Sequence, residues 1–404
     1  MTSLINSLPQ INGLTLFGLI LIIGVLGGHM AQFTRFFPKI TGYFLIGLII
    51  GPNILGIISK GSLTDAKVFI DIAVGLVLFQ LGLQVDARKL YHNRKVWWMG
   101  IAESMMTFCI VFLALYLLHV DALTAALAAS IGVSTSPVLT LFIASKSDVI
   151  GRLTQRSLSL TAINNIIAFC LFMLLLPLLH STAHPAKFEV YMLLDPIYHL
   201  FGSIALGVAL GYVMIKLGRL IGHREDSQFA LLVGILVLSI GIASMFGVST
   251  ILTPLVLGIF TINMDHDDHL MKIKLGHYGE IFFIVLFVLT GAKLHLSQIA
   301  SVGSIAIVFV VTRMISKCLP IYIISRRYGY DNTQSYALGL TLLPMADMAI
   351  GLLNTATEIS TEFATSLSAI VLASVAIIEL TSPLISIFAF RKAGEIDESV
   401  MVGH

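Results

Sequence analysis

Charge is what this 404-residue chain lacks: aspartate, glutamate, lysine and arginine together make up 11% of it, against about a quarter in soluble domains. With 57% apolar residues, a chain so poor in charge reads as a polytopic membrane protein. Cysteine is scarce too. Cys109, Cys170 and Cys318 all fall inside apolar runs with no metal-ligand spacing, so they read as small buried hydrophobes. No glycine-rich phosphate loop follows a strand signal, so no NAD, ATP or other cofactor is expected. The net charge of +2 says little about partners, and neither a nucleic acid nor a nucleotide is expected. An enzyme is the weakest function class, because no nucleophile stands with a base and no metal cluster or cofactor loop is present.

What is abundant is apolar sequence. Runs long enough to cross a bilayer, about 17–25 residues each, lie at roughly 13–30, 38–58, 68–85, 96–118, 122–143, 155–177, 192–217, 228–246, 249–263, 278–293, 302–322, 335–355 and 364–388. That makes about thirteen spans. No basic flank or small-residue cleavage site precedes the first run, so it is expected to be a retained helix rather than a signal peptide. Eighteen lysines and arginines fall in alternate loops and the C-terminal tail, whereas the opposite loops hold only Lys60, Lys67, Lys187 and Lys293. The richer side is expected to be cytoplasmic, with the N-terminus outside and the C-terminus inside.

Two spans are interrupted. Gly132-Val133-Ser134-Thr135-Ser136-Pro137 places a glycine, three hydroxyls and a proline within an apolar segment, and Leu342-Leu343-Pro344-Met345-Ala346-Asp347 does the same about two hundred residues on. Proline removes a backbone donor and clashes with the preceding turn, so both helices should break at Pro137 and Pro344. Backbone freed at bilayer depth survives only where it lines a cavity or binds something. A pair of interrupted helices in matching places of two halves points to the substrate site of a secondary transporter.

Other features support two related halves. The phrase around Phe79-Gln80-Leu81-Gly82 in the third span has a counterpart around Phe287-Val288-Leu289-Thr290-Gly291 in the tenth, which runs the opposite way. An inverted repeat of spans one to six and eight to thirteen follows, with the seventh as linker. Gly47 and Gly51, four apart, read as a close helix contact. The eighth and ninth spans look like scaffold.

Polar residues inside spans are the candidate machinery. Glu103 lies in the fourth span, and the adjacent Asn164 and Asn165 lie in the sixth, where neighbouring positions face different directions and are not expected to share one partner. Arg313 and Lys317 lie four apart in the eleventh, on one helical face. Two cations in a bilayer need a cavity or a carboxylate, so a functional role is the default. Asp347 follows the second break and Glu379 lies in the thirteenth span. Asp265, His266, Asp267, Asp268 and His269 form a loop with metal-binding residue types, but a solvated loop is the simpler reading and no metal is expected there.

Taken together, the phrases Gly42 to Gly56, Phe79 to Asp86, Ser134 to Pro137, Leu343 to Leu352 and Glu379 to Glu395 resemble the membrane domain of monovalent cation:proton antiporters of the Kef and Nap type. The resemblance covers nearly the whole chain in the family's order. It implies an all-α NhaA/NapA-like fold with an inverted repeat and two crossed discontinuous helices. It further implies one transporter domain over 1–404 and no soluble regulatory domain. Within it, panel helices at about 13–85 and 192–293 would form a homodimer, and core helices at about 96–177 and 302–388 would slide as an elevator. By this resemblance Thr135, Ser136, Asn164, Asn165 and Asp347 bind the ion, and Lys317, Arg313, Asp347, Glu103 and Glu379 couple the proton or balance charge. The location implied is a bacterial inner membrane.

Two departures matter. The sixth-span pair in relatives carries at least one aspartate, whereas here both positions are asparagine. The second break, often Pro-Gln-Ala-Gly in relatives, reads Pro344-Met345-Ala346-Asp347 and gains an acid, so Asp347 is expected to take part of the lost role. The leading function is exchange of sodium or potassium for protons, with neutral oxygens of the asparagines, the hydroxyls and the freed carbonyls stripping water from the ion. Two alternatives stand beside it. One is an anion or organic acid attracted by Arg313, Lys317 and half-helix ends; the other is an uncoupled cation pathway or sensor.

Overall fold

The computed structural model describes residues 13–33, 39–59, 61, 63, 66–85, 94–141, 151–183, 191–222, 225–265, 279–293, 296–359 and 361–395. These form helices and, among the described residues, no strand. In chain order they are α1 Gly13–Phe33, α2 Lys39–Ile50, α3 Lys67–Leu83, α4 Arg94–Leu117, α5 Ala122–Val133, α6 Arg152–Ala183 and α7 Tyr191–Ile221. There follow α8 Glu225–Met245, α9 Leu252–Met264, α10 Gly279–Lys293, α11 Leu296–Arg327, α12 Asn332–Thr341, α13 Asp347–Ile359 and α14 Thr361–Lys392. Eight segments are long and apolar enough to cross a bilayer: α1, α4, α5 with its continuation to Leu141, α6, α7, α8, α11 and α14. Shorter apolar helices lie at Thr41–Ile50, Leu252–Met264, Ile281–Lys293 and Met348–Thr357. The apolar run 38–58 is not one helix. It stops at Ile50 because Pro52 disfavours helical geometry at Gly51. His266, Asp267, Asp268 and His269 lie outside the described residues.

Packing sorts the helices into two sets. α1, α2, α3, α7, α8, α9 and α10 pack chiefly on one another, and so do α4, α5, α6, α11, α12, α13 and α14. Within each set the contacts of the first half recur in the second. α3 on α9 has its counterpart in α10 on α2, α4 on α5 in α11 on α12, and α14 on α5 in α6 on α12. One apolar cluster, including Leu76, Phe79, Leu210, Met214, Leu236 and Leu257, joins α3, α7, α8 and α9; the larger cluster spans both sets.

Glycines show how closely these paired contacts match. A Cβ on Gly82 would run into the Leu255 carbonyl oxygen, and one on Gly258 into that of Phe79. In the other half, Gly291 stands against the Phe44 carbonyl and Gly47 against that of Val288. In all four cases the carbonyl belongs to the residue three before the partner glycine. The helices therefore touch backbone to backbone, which only small residues permit in a membrane, and the reading of Gly47 as a packing residue holds.

The broken segments also open alike. The chain leaves α4 through His119 at φ 63 and leaves α11 through Gly329 at φ 85. Two residues later comes an aspartate: Asp121 accepts from the amides of Leu123 and Thr124, and Asp331 from that of Gln334. Each carboxylate caps the first turn of a half-helix, where backbone donors are otherwise unpaired.

Candidate functional site

Helix α5 ends at Val133, residues 134–137 are non-helical, and helical turns resume at 138–141. In the second half α12 ends at Thr341, residues 343–345 are non-helical, and α13 begins at Asp347. The two breaks meet. The Ser136 amide donates to the Pro344 carbonyl at 2.8 Å, and the Thr135 hydroxyl donates to that of Leu342 at 3.3 Å.

Breaking a helix strands carbonyls that lipid cannot satisfy, and α11 supplies the donors. Arg313 donates from Nε to Gly132 O at 2.8 Å, from Nη2 to Ser134 O at 2.7 Å and from Nη1 to Leu343 O at 2.5 Å. One turn on, Lys317 Nζ donates to Val133 O at 2.6 Å and to Thr135 Oγ1 at 3.2 Å. Both side chains are fully buried. They cap the C-terminal end of α5, where the peptide dipoles leave partial negative charge. The carbonyls of residues 132, 133, 134, 342, 343 and 344 each accept a bond from the protein, so the breaks do not leave them bare.

Lys317 also meets an acid. Its Nζ lies 2.8 Å from Glu103 Oε1 on α4, with both side chains fully buried. Thr107, one turn along α4, donates to the same oxygen at 3.0 Å. Glu103 Oε2 is buried and has no hydrogen-bond partner among the described residues. Glu379 on α14 is buried as well and lies within electrostatic range of Arg313.

The asparagines of α6 hold the first break. Asn165 Oδ1 accepts from the Thr135 amide at 2.9 Å, and Asn164 Nδ2 donates to the Thr135 hydroxyl at 3.4 Å. Asn164 Oδ1 accepts from Ser104 on α4 at 3.0 Å. Contrary to expectation the two asparagines share a partner, because the extended backbone at Ser134 presents both the amide and the hydroxyl of Thr135 to α6. Asn165 Nδ2 is left without a partner. The structure thus brings together Glu103, Thr135, Ser136, Pro137, Asn164, Asn165, Arg313, Lys317 and Pro344. Asp347 begins α13 beside the second break, and the placement of its side chain lies outside the described residues. Ser104 and Thr107 are the polar neighbours that sequence reading passed over. Their available signal was spacing, one and four residues from an acid in an apolar helix.

Residues 17–387 match the family described as "Sodium/hydrogen exchanger, transmembrane". The chain belongs to this family. The probable Na(+)/H(+) antiporter GerT of Bacillus cereus is 40% identical over 58 residues, 14% of this chain and 15% of that protein. Among solved structures, the sodium proton antiporter MjNhaP1 of Methanocaldococcus jannaschii at pH 8 superposes with a TM-score of 0.73 at 16% identity, covering 95% of this chain and 99% of that one. An electron-microscopy structure of the same antiporter gives a TM-score of 0.73 at 17% identity, covering 96% of each. Family and fold agree. The chain is thus a multi-pass membrane protein of a cation/proton antiporter family, a family of transporters rather than enzymes.

Proposed function

We propose that this chain exchanges one sodium or potassium ion for one proton at Glu103, with Asp347 as the second exchanging acid. The observation that carries the reading is the buried Glu103–Lys317 pair at the meeting of the breaks, with one carboxylate oxygen of Glu103 uncommitted. A carboxylate that holds its partner through one oxygen offers the other to an alkali cation or to a proton, and either excludes the other. The charges support the same reading. Arg313 and Lys317 carry two positive charges, and Glu103, Glu379 and Asp347 carry three negative ones. The residue of minus one is what a single monovalent cation or a single proton cancels.

Thr135, Ser136, Asn164 and Asn165 brace the site and contribute neutral oxygens to its wall. Asp347 opens α13, where a helix N-terminus favours negative charge, and takes over part of the role of the missing sixth-span aspartate. An anion or organic acid fits less well, because Arg313 and Lys317 already bind backbone carbonyls and Glu103.

The set α4 to α6 with α11 to α14 serves as the moving core. The set α1 to α3 with α7 to α10 serves as the panel and the homodimer interface. With α12 and α13 taken as one span, the architecture we infer is thirteen spans with two crossed discontinuous helices. The matched glycine contacts and caps support the inverted repeat, and the distribution of loop lysines and arginines supports an outer N-terminus and a cytoplasmic C-terminus in a bacterial inner membrane. In liposomes with an internal pH dye, Glu103→Gln and Asp347→Asn should each reduce cation-triggered proton movement by roughly two orders of magnitude. Wild-type rates in both variants would remove these residues from the mechanism.

A further inference from the structure

Helical serines and threonines in this chain commonly bond the carbonyl three or four residues back. Ser159, Thr253, Thr261, Thr312, Thr357, Ser374 and Thr381 all do so. Ser157 and Thr161 on α6 do not: both are fully buried and neither hydroxyl has a partner among the described residues. Asn165 Nδ2 is the next such group, again four residues on. Positions 157, 161 and 165 share one helical face and span about 12 Å along it. Seven buried side-chain atoms lack a partner among the described residues, and four of them are these three and Glu103 Oε2.

Buried polar groups are almost always hydrogen-bonded, and one left unpaired costs about 1–3 kcal/mol. A file of water is what would satisfy a row of them at helical spacing together. We propose that this face of α6 is a proton path, distinct from the route of the cation, leading from the first turns of the helix to Glu103. The proposal rests on the reading of Glu103 as an exchanging acid. Full burial leaves no room for a cation with its hydration shell, whereas a proton needs only groups that donate and accept, as hydroxyls and water do. Asn165 and Glu103 are joined by three successive contacts, Asn165 to the Thr135 amide, the Thr135 hydroxyl to Lys317, and Lys317 to Glu103.

The other end of the path lies one turn before Ser157. There the Thr154 hydroxyl and amide both donate to Glu395, whose carboxylate also accepts from the Leu153 amide. At the same end Arg156 stacks on Tyr330, just before α12, and Ser335 of α12 is another buried hydroxyl without a partner. Each proton that enters passes between the oxygens of the hydroxyls and the waters along this face, with Asn165 Nδ2 only donating to a water and not relaying, so one arrives on Glu103 Oε2 for each that leaves the water outside. Only O–H bonds are made and broken.

The test separates two exchanges in reconstituted liposomes. Thr161→Val and the pair Thr161→Val with Ser157→Ala should slow cation/proton exchange about tenfold or more while isotopic exchange of the same cation stays within about twofold; Thr161→Ser should restore the proton rate. Equal loss of both exchanges, or loss of neither, would overturn the path. A second measurement does not depend on transport. In a chain whose three native cysteines are alanine, silver ion, a probe of nearly water size, should react with Ser157→Cys and Thr161→Cys in folded protein. It should spare Ile163→Cys, which is comparably buried on the opposite face of the helix. Unreactive thiols at 157 and 161 would overturn the path even where transport is intact, and reactive ones would sustain it even were no alkali cation moved, an outcome that would sink only the antiport reading.

Discussion

Lys317 holds three groups at once, the Val133 carbonyl, the Thr135 hydroxyl and Glu103. Replacing it by methionine leaves Glu103 as an uncompensated buried charge, which costs about 3–5 kcal/mol, whereas removing both members of a buried pair costs far less. Thermal unfolding in detergent should therefore show Lys317→Met well below the double variant Lys317→Met with Glu103→Leu. A double variant no better than the single one would mean that the pair is not what stabilises the site. Arg313 and Lys317 were legible in the sequence because two cations four apart in an apolar helix have no bland explanation. Glu103 was legible as a lone acid. That it pairs with Lys317 was not, since the two lie over two hundred positions apart and residue types carry no distance. That the asparagine oxygens accept from Thr135 and Ser104 was not legible either, since those partners lie on other segments.

At the scale of elements, the breaks were legible because proline acts on its own helix. The capping of the first break was not, because its donors come from another helix. The early end of α2 shows the converse, an apolar run that overstates a helix when Pro52 sits within it. The matched loops before α5 and α12 carry a consequence: His119 holds the left-handed conformation that its counterpart Gly329 adopts freely. His119→Gly should raise the stability by about 1 kcal/mol, the cost of that conformation for a residue with a Cβ, and unfolding curves would detect it. Gly47 has the opposite sensitivity. Gly47→Val drives a side chain into the Val288 backbone and should separate α2 from α10, seen as loss of the folded, monodisperse fraction in size-exclusion chromatography. A well-behaved Gly47→Val protein would show that these helices do not need to touch.

For the whole molecule, the decisive quantity on the proposed elevator reading is the charge that the site would carry across the membrane. With Arg313 and Lys317 against Glu103, Glu379 and Asp347, the five charges of the proposed site cancel with either one alkali cation or one proton bound. A core carrying one uncompensated charge would feel about 2.3 kcal/mol per 100 mV; a neutral one feels none. Wild-type protein in liposomes with an internal pH dye and a preset proton gradient tests this directly, with sodium, potassium and lithium added in turn and the membrane potential clamped at zero or at about −100 mV. The expected result is dissipation triggered by sodium or potassium at the same rate at both potentials. Silence with every alkali cation, or a rate that follows the potential, would contradict one-for-one exchange at the buried acids.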